Sequence, residues 1–511
     1  MTDIVLATLN ARWIHTAFGL RCLRANLGEI RERSVLVERD VQVRPIDFVE
    51  EILAHRPRIV GLAVYVWNAA AMASVVATLK RVAPEVVVVL GGPEVSHETG
   101  LQPMATLADH VVRGEGDRAF RELCEAILAG SVPRAKVIDA APPDLLTLAL
   151  PYDEYTDADV AHRIVYVEAS RGCPFQCEFC LSSLDERVRS FPLEPFLAAM
   201  DRLLVRGVRH FKFVDRTFNL GLATSLRILG FFRERLAAGR CDGLFLHFEL
   251  IPDRLPEPLR VAVAAFPPGA LQFEVGIQTF DPEVADRISR RQDVARIAEN
   301  LRFLRDHTGV HVHADLIVGL PGEDLPTFAR GFDALAALDP HEIQVGILKR
   351  LRGAPIVRHD EEFGMRWSPD PPYEILATNA LDFGTLQRLR RFARCVDLVM
   401  NSGSFREALP LLWRDASPFA RLLAFSDWLF ARTAAVHGIA LHRLTAYLLE
   451  FLVDVAGVPR DEAGRALFRD YQRTRPNDWP SFLRPFATSE AIAQPRAPRA
   501  GGRRQARHAD P

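Results

Sequence analysis

The sequence predicts an α/β protein of three units: a doubly wound parallel sheet, an incomplete (β/α)6 barrel, and an all-helical unit. Three observations carry this. Short β-branched runs alternate with amphipathic stretches as far as Leu128, the alternation resumes from Ile164 with a different rhythm, and strand signals fade beyond Pro372. A chain of 511 residues exceeds what a single hydrophobic core supports, so several folded units are expected.

In the first unit the strand candidates are Ile4-Leu9, Ser34-Glu38, Ile59-Val66 and Val86-Leu90, with a short fifth around Val111-Arg113. Helices are expected at Leu20-Ile30, Phe48-Ala54, Ala69-Val82 and Arg118-Leu128. Repeated βα units imply a parallel sheet with helices on both faces. A Pro- and Asp-rich stretch, Ala140-Asp159, breaks the periodicity and reads as a linker.

The second unit offers six strand signals, YVEAS, HFKFVD, LFLHFEL, LQFEVGIQ, HVHADLIVGL and EIQVGILK, with helices at Leu193-Val205 and Ala223-Ala238 among those between them. A full eight-fold barrel takes about 250 residues, so this shorter stretch predicts a partial barrel with its functional groups at the strand C-terminal ends. In the third unit Tyr373-Asn401, Pro418-Val436 and Leu441-Val455 have helical periodicity, and Trp413, Trp428 and Trp479 read as helix-packing core. The Pro/Gly/Arg-rich tail Gln494-Pro511 has almost nothing to bury and is expected to be disordered. The boundaries drawn are 1–135, a linker at 136–163, 164–365, 370–490 and a tail at 491–511.

Lys and Arg number 63 against 65 Asp and Glu, so the chain has no overall field to favour nucleic acid or an anionic membrane. The N-terminus lacks a basic n-region and no apolar run is long enough to span a bilayer, which predicts a cytoplasmic protein without membrane insertion. Seven cysteines, scattered except for one cluster, argue against a disulfide framework and for a reduced compartment with a metal site.

That cluster is Cys173, Cys177 and Cys180, a C-x3-C-x2-C spacing just after the first barrel strand. Three thiolates on one loop can hold three irons of a [4Fe-4S] cubane and leave the fourth without a protein ligand. A zinc knuckle is the plainer alternative, but zinc sites usually draw four ligands from paired C-x2-C units, and no nearby fourth Cys or His is present.

Cys173 to Cys180, with Phe179 before the last cysteine, resembles the signature of the radical S-adenosylmethionine (SAM) superfamily, and the likeness extends in order over residues 164–350. It implies that the open iron chelates SAM and that Phe179 borders the adenine. It also implies SAM-contact positions at Asp215, Glu249, Glu274, Gln278 and Arg290, with Gly319 and Gly322 closing the fifth strand. Asp315 and Lys349 are weaker candidates. Glu249, Glu274 and Gln278 could equally line a polar barrel mouth or pair with Arg254 and Arg290. The Gly-Gly-Glu segment of many members is missing after the second strand, where Val214, Asp215, Arg216 and Thr217 stand; this points to the members that carry cobalamin domains.

In the first unit Gly91, Gly92, Pro93 and Glu94 follow a strand, and two glycines there let backbone approach a flat ligand. With the segment from Gly61 through Tyr65 to Trp67, residues 1–130 resemble a Rossmann-like cobalamin-binding domain. The resemblance implies that the third strand end and the Gly-Gly turn surround the nucleotide tail of the corrin. The loop from Asn10 to Gly19 lacks the Asp of the Asp-x-His-x-x-Gly motif of such domains and carries its Gly one place late. His15 is the sole candidate lower ligand to cobalt, or else a surface or capping histidine. No GxGxxG follows the first strand, which argues against a nicotinamide cofactor.

The family resembled is that of cobalamin-binding radical SAM proteins, in a subgroup with a helical C-terminal domain of unknown function. It implies a methyltransferase in which one SAM yields a 5'-deoxyadenosyl radical that removes hydrogen from an unactivated carbon of a small-molecule or metabolite substrate. Methylcobalamin, recharged by a second SAM, would deliver the methyl group, and a flavodoxin or ferredoxin would donate electrons. The cavity is expected between the Gly91-Glu94 turn and the strand ends bearing Cys180, Asp215, Glu249 and Glu274. Cyclisation or ring contraction is the rival within radical chemistry; a methylthiotransferase would need a second cluster, for which Cys22 and Cys124 do not suffice. From another class, the chain could be a cobalamin- or Fe-S-dependent sensor. No individual catalytic residue is assigned.

Overall fold

The computed structural model describes residues 2–414, 416–435, 437–475 and 479–487. The tail Gln494-Pro511 lies outside them. The chain divides into two compact units, one of Met1–Glu249 with Lys349–Arg358 and Trp367–Glu374, the other of Leu250–Leu348, His359–Arg366 and Ile375–Pro511.

The first unit opens with six parallel strands: β1 (Ile4–Asn10), β2 (Ser34–Asp40), β3 (Ile59–Ala63), β4 (Val87–Gly91), β5 (His110–Arg113) and β6 (Val137–Asp139). Their order is β2-β1-β3-β4-β5-β6, so the direction of winding switches between β1 and β3. Strand residues alternate between two cores, as a sheet covered on both faces requires. Val5, Ala7 and Leu9 pack with Phe48, Ile52, Met72 and Val76 of the helices Pro45–Ala54 and Ala69–Val82. Ile4 and Leu6 pack on the opposite side with Leu20, Phe120, Leu123 and Ile127 of Phe18–Ala25 and Asp117–Leu128.

Two expectations shift here. The strand expected to reach Val66 ends at Ala63, since the chain turns where Val64 N–H donates to Gly91 and Asn68 Oδ1 accepts from Tyr65 N–H. The stretch read as a linker is built: β6 adds the sixth strand, and short helical turns at Pro151–Glu154 and Asp157–His162 follow. Tyr152 and Tyr155, both buried, bond through their hydroxyls to the backbone of Glu168 and Tyr166. Buried Arg21 holds Glu38 at 2.8 Å and Asp159 at 2.9 Å.

After these turns come β7 (Val165–Val167), β8 (His210–Phe213) and β9 (Phe245–Leu250), with β8 parallel to both others. The second unit continues with β10 (Leu271–Gln278), β11 (His311–Val318) and β12 (Glu342–Ile347), β11 lying parallel between its two neighbours. Helices intervene throughout, so six strands alternate with helices as expected.

Beyond the barrel segment the structure is mainly helical, at Phe383–Cys395, Pro418–Thr433, Leu441–Asp454 and Arg460–Thr474. The helix expected from Tyr373 starts ten residues later because Ile375–Ala377 pairs with Arg366–Trp367 as a two-stranded sheet. Trp428 stacks on Phe425 and meets Phe451 edge-on, and Trp479 meets Phe468 edge-on, consistent with packing roles.

Candidate functional site

The cysteine loop leaves β7 through Ser170–Arg171, which pairs antiparallel with Arg189–Ser190 and closes the loop on itself. Gly172 has φ +95°, and a Cβ there would strike the carbonyl of Arg187, so only glycine fits immediately before Cys173. Cys173 N–H donates to Asp185 and Cys180 N–H to Cys177. Cys177 is buried and the other two are half-buried, and none of the seven cysteines forms a disulfide.

Burial pushes the Cys173 thiol up; Cys180 and Cys177 add to this, and Arg216 opposes it. The three thiols therefore share one electrostatic site. Three thiolates fall one short of the four ligands of a structural zinc site but suffice for three irons of a cubane. Within the loop Phe179 is half-buried, whereas Glu178 is buried and ion-paired with Arg358.

Asp215, at the end of β8, accepts from Ala169 N–H at 3.0 Å and Ser170 Oγ at 2.6 Å. Burial raises its carboxyl to about 6, against the pull of those bonds. Glu249, on β9, is held by Arg216 Nη1 at 3.1 and 3.2 Å.

A cavity of about 480 Å³ lies at the C-terminal edge of the first sheet, within the usual range for a ligand pocket. Its wall includes Gly61, Tyr65, Gly91, Gly92, Pro93 and Phe120, and its polar end is Glu115, Asp117, Glu168, Arg171 and Arg216. Gly92 has φ +104°, and a Cβ there would lie 2.5 Å from the Val64 carbonyl, whereas one on Gly91 would find nothing nearer than 3.8 Å. Arg171 binds Glu168 at 2.9 Å, Glu115 at 2.8 Å and Asp117 at 2.9 Å. Burial lifts the Glu168 carboxyl to about 7, opposed by Arg171.

Of the residues expected around the corrin, Tyr65, Gly91, Gly92 and Pro93 line this cavity. Asn10, His15 and Glu94 do not line it. Asn10 is buried and donates to the His15 carbonyl and to Glu38. His15 Nδ1 lies 2.7 Å from Tyr166 Oη, and burial, with Lys212, Arg12 and Arg163, holds its pKa below the usual value. Glu94 is engaged by Arg352 and Tyr373. The cavity wall also differs from expectation at its polar end, which is made by Glu115, Asp117, Glu168, Arg171 and Arg216, with none of Cys180, Asp215, Glu249 and Glu274 lining it. Arg171 stands two places before Cys173, a position that only the folded loop makes meaningful.

In the second unit β10 ends in a bulge between Gly276 and Gln278, and Gln278 adopts φ +72°, a conformation rare outside glycine. Arg290 Nη2 donates to the Gly276 carbonyl, and Gln278 Oε1 is buried without a hydrogen bond. Glu274 is half-buried in register with His313. Glu323, which sequence reasoning passed over, is buried just beyond Gly322; it accepts from Thr279 at 2.7 Å, and burial raises its carboxyl to about 8.

Three family models match in series: the B12 binding domain over residues 4–124, the Radical SAM superfamily over 167–333, and a protein of unknown function (DUF4080) over 361–494. The chain is a B12-binding radical SAM protein. Its cofactors are those of its domains: a [4Fe-4S] cluster, SAM and cobalamin. The glycine-lined cavity and the three thiols on one loop suit cobalamin and the cluster, respectively.

Among relatives, the "uncharacterized methyltransferase PH0819" of Pyrococcus horikoshii is 27% identical over 48% of this chain and 56% of its own. The "cobalamin-dependent radical SAM methyltransferase TokK" of Streptomyces tokunonensis is 26% identical over 62% of this chain and 51% of its own. The chain thus spans about half the length of the curated relatives it matches. The methyltransferase TsrM of Kitasatospora setae, solved with cobalamin and a [4Fe-4S] cluster bound, has the same fold, with a TM-score of 0.57 at 18% identity over 73% of this chain and 78% of that one. Among the described residues no helix is long and apolar enough to cross a membrane.

Proposed function

We propose that this chain is a cobalamin-dependent radical SAM methyltransferase that acts on an unactivated carbon of a small molecule and takes its electrons from a flavodoxin- or ferredoxin-type donor in the cytoplasm. The observation that carries this reading is the shared wall of the cavity. Gly91, Gly92 and Pro93 of the B12 domain and Arg171 and Arg216, which flank the cysteine loop and Asp215, border one space.

When bound, the reduced cluster with SAM supplies a hydrogen-abstracting radical, and cobalamin carries the methyl group. Cys173, Cys177 and Cys180 would hold three irons, and Phe179 would border the adenine. Asp215 keeps the Ser170–Arg171 segment at the root of the loop in place, and Arg216 orients Glu249. Tyr65 and the Gly91–Pro93 turn would hold the corrin tail, while the apolar wall keeps water from a reactive carbon. Glu274, Gln278 and Arg290 are assigned to SAM by the family resemblance alone.

The test is product analysis with methyl-labelled SAM and metabolite extract from a strain lacking the protein. Methyl transfer predicts labelled product, with 5'-deoxyadenosine and S-adenosylhomocysteine in comparable amounts. Unlabelled, rearranged product with 5'-deoxyadenosine would favour cyclisation or ring contraction. No SAM turnover by reduced protein would favour a sensor.

A further inference from the structure

At the start of β11, His311 and His313 stand two residues apart and therefore on one face of the strand. Glu342, the first residue of β12, is in register with His313. Its Oε1 lies 3.0 Å from Nε2 of His311 and 3.0 Å from Nε2 of His313. His311 and Glu342 are each only 4% exposed, and the donor atoms of all three residues lie within 4.8 Å of one another.

A hydrogen-bonded pair would account for His311 and Glu342. It does not account for His313, whose Nε2 is buried and makes no hydrogen bond although a carboxylate oxygen is 3.0 Å away. Burying an imidazole nitrogen without a partner is unfavourable, so the arrangement calls for one. A cation shared by the three residues would give His313 Nε2 the partner that the carboxylate does not supply. Donors about 2.0–2.2 Å from one tetrahedral cation stand roughly 3.3 Å from each other, close to the two nitrogen–oxygen distances of 3.0 Å.

We propose that His311, His313 and Glu342 bind one divalent cation of the zinc class, with water completing its shell. Two imidazoles and a carboxylate suit such an ion better than magnesium or calcium, which take all-oxygen shells. The ligands sit at the N-terminal ends of their strands, whereas Gln278 closes β10 at its C-terminal end. Conserving the strand pair is thus the role that fits, because among the described residues β12 has β11 as its single strand neighbour. The ion would staple the last strand to the sheet.

The experiment uses full-length protein with its iron–sulfur cluster reconstituted first, so that the cysteines are occupied. Elemental analysis after zinc loading and gel filtration should find one zinc per chain beyond the iron. Cobalt(II) titrated into zinc-free protein should give saturable visible bands of a low-symmetry site. His311→Gln and His313→Gln should each weaken cobalt binding at least about tenfold with iron content unchanged. Absence of saturable cobalt binding in the unaltered protein overturns the proposal without reliance on any variant. Equal metal content in both variants does so too, and marks an adventitious ion only.

Discussion

Arg352 Nε lies 2.9 Å from Glu94 Oε1, joining the Gly-Gly-Pro-Glu turn to a segment 258 residues further along the chain. Tyr373 Oη donates to the same oxygen at 2.6 Å, and Arg352 also reaches Glu98 at 3.0 Å. Glu94 is 3% exposed, so its carboxyl oxygens find their hydrogen-bond donors in these partners rather than in water. Arg352→Met should leave a buried carboxylate with Tyr373 as its remaining named donor and cost about 3 kcal/mol. Thermal melting should show the loss, and equilibrium titration should show weakened cobalamin binding as the turn loosens. Unchanged values for both would mean that the latch does not position the turn.

The two glycines of that turn should behave differently. Gly92→Ala would put its Cβ 2.5 Å from the Val64 carbonyl at a left-handed φ, so it should destabilise the first unit before any ligand binds. Gly91→Leu meets nothing closer than an ordinary contact of 3.8 Å and stands on the cavity wall, so it should retain the melting temperature and lose cobalamin affinity at least about tenfold, through steric exclusion worth more than 1.4 kcal/mol. The same response from both variants would contradict this division of labour.

His15→Ala should leave the coordination of bound cobalt unchanged, because the ring is held by Tyr166 at 2.7 Å and lies outside the cavity wall. Electron paramagnetic resonance of the Co(II) state checks this. Nitrogen splitting that disappears with the mutation would make His15 a ligand after all.

These positions show what the sequence could and could not reveal. The βα alternation is legible because the central strands of the first sheet are buried on both faces, which forces continuous runs such as Ile4–Asn10 and Ile59–Ala63. The C-x3-C-x2-C spacing is legible because one loop carries all its ligands. Partners distant in the chain leave no such trace: Arg352 for Glu94, Arg171 for Asp117, Tyr166 for His15. The Ala140-Asp159 stretch reads as linker because its order comes from Tyr152 and Tyr155 packing on neighbours rather than from periodicity. Glu323 escaped notice for the same reason, since its buried state depends on Thr279 and the turn around it.

Glu323 gives a pH dependence with a definite sign. Its carboxyl titrates near 8 in the folded protein against 4.5 when exposed, with burial as the main cause. Between those values the native state holds a proton that the unfolded chain has released. Stability contributed by this group therefore falls as pH rises from about 4.5 to about 8, and is flat on either side. Glu323→Gln cannot release the proton, so the variant should gain on the parent across that window. Melting temperatures of the two proteins that run parallel from pH 5 to pH 8 would show that Glu323 is not buried as described.

Changing Cys173, Cys177 and Cys180 together to Ala should remove about four irons and four sulfides from anaerobically reconstituted protein. The three-ligand supply of the loop, one short of a structural zinc site, predicts a further asymmetry. Zinc offered to cluster-free protein should not bind at these cysteines with the affinity of a structural zinc site, because the loop supplies three ligands and is closed by the Ser170–Arg171 pairing with Arg189–Ser190. A thiolate-to-cobalt charge-transfer band on cobalt(II) titration of the cluster-free chain is the discriminating signal. A strong band saturating at one cobalt and lost in the triple variant would identify a mononuclear site and overturn the cubane assignment. A weak or absent band, with iron restored on reconstitution, agrees with a loop shaped for a larger cluster.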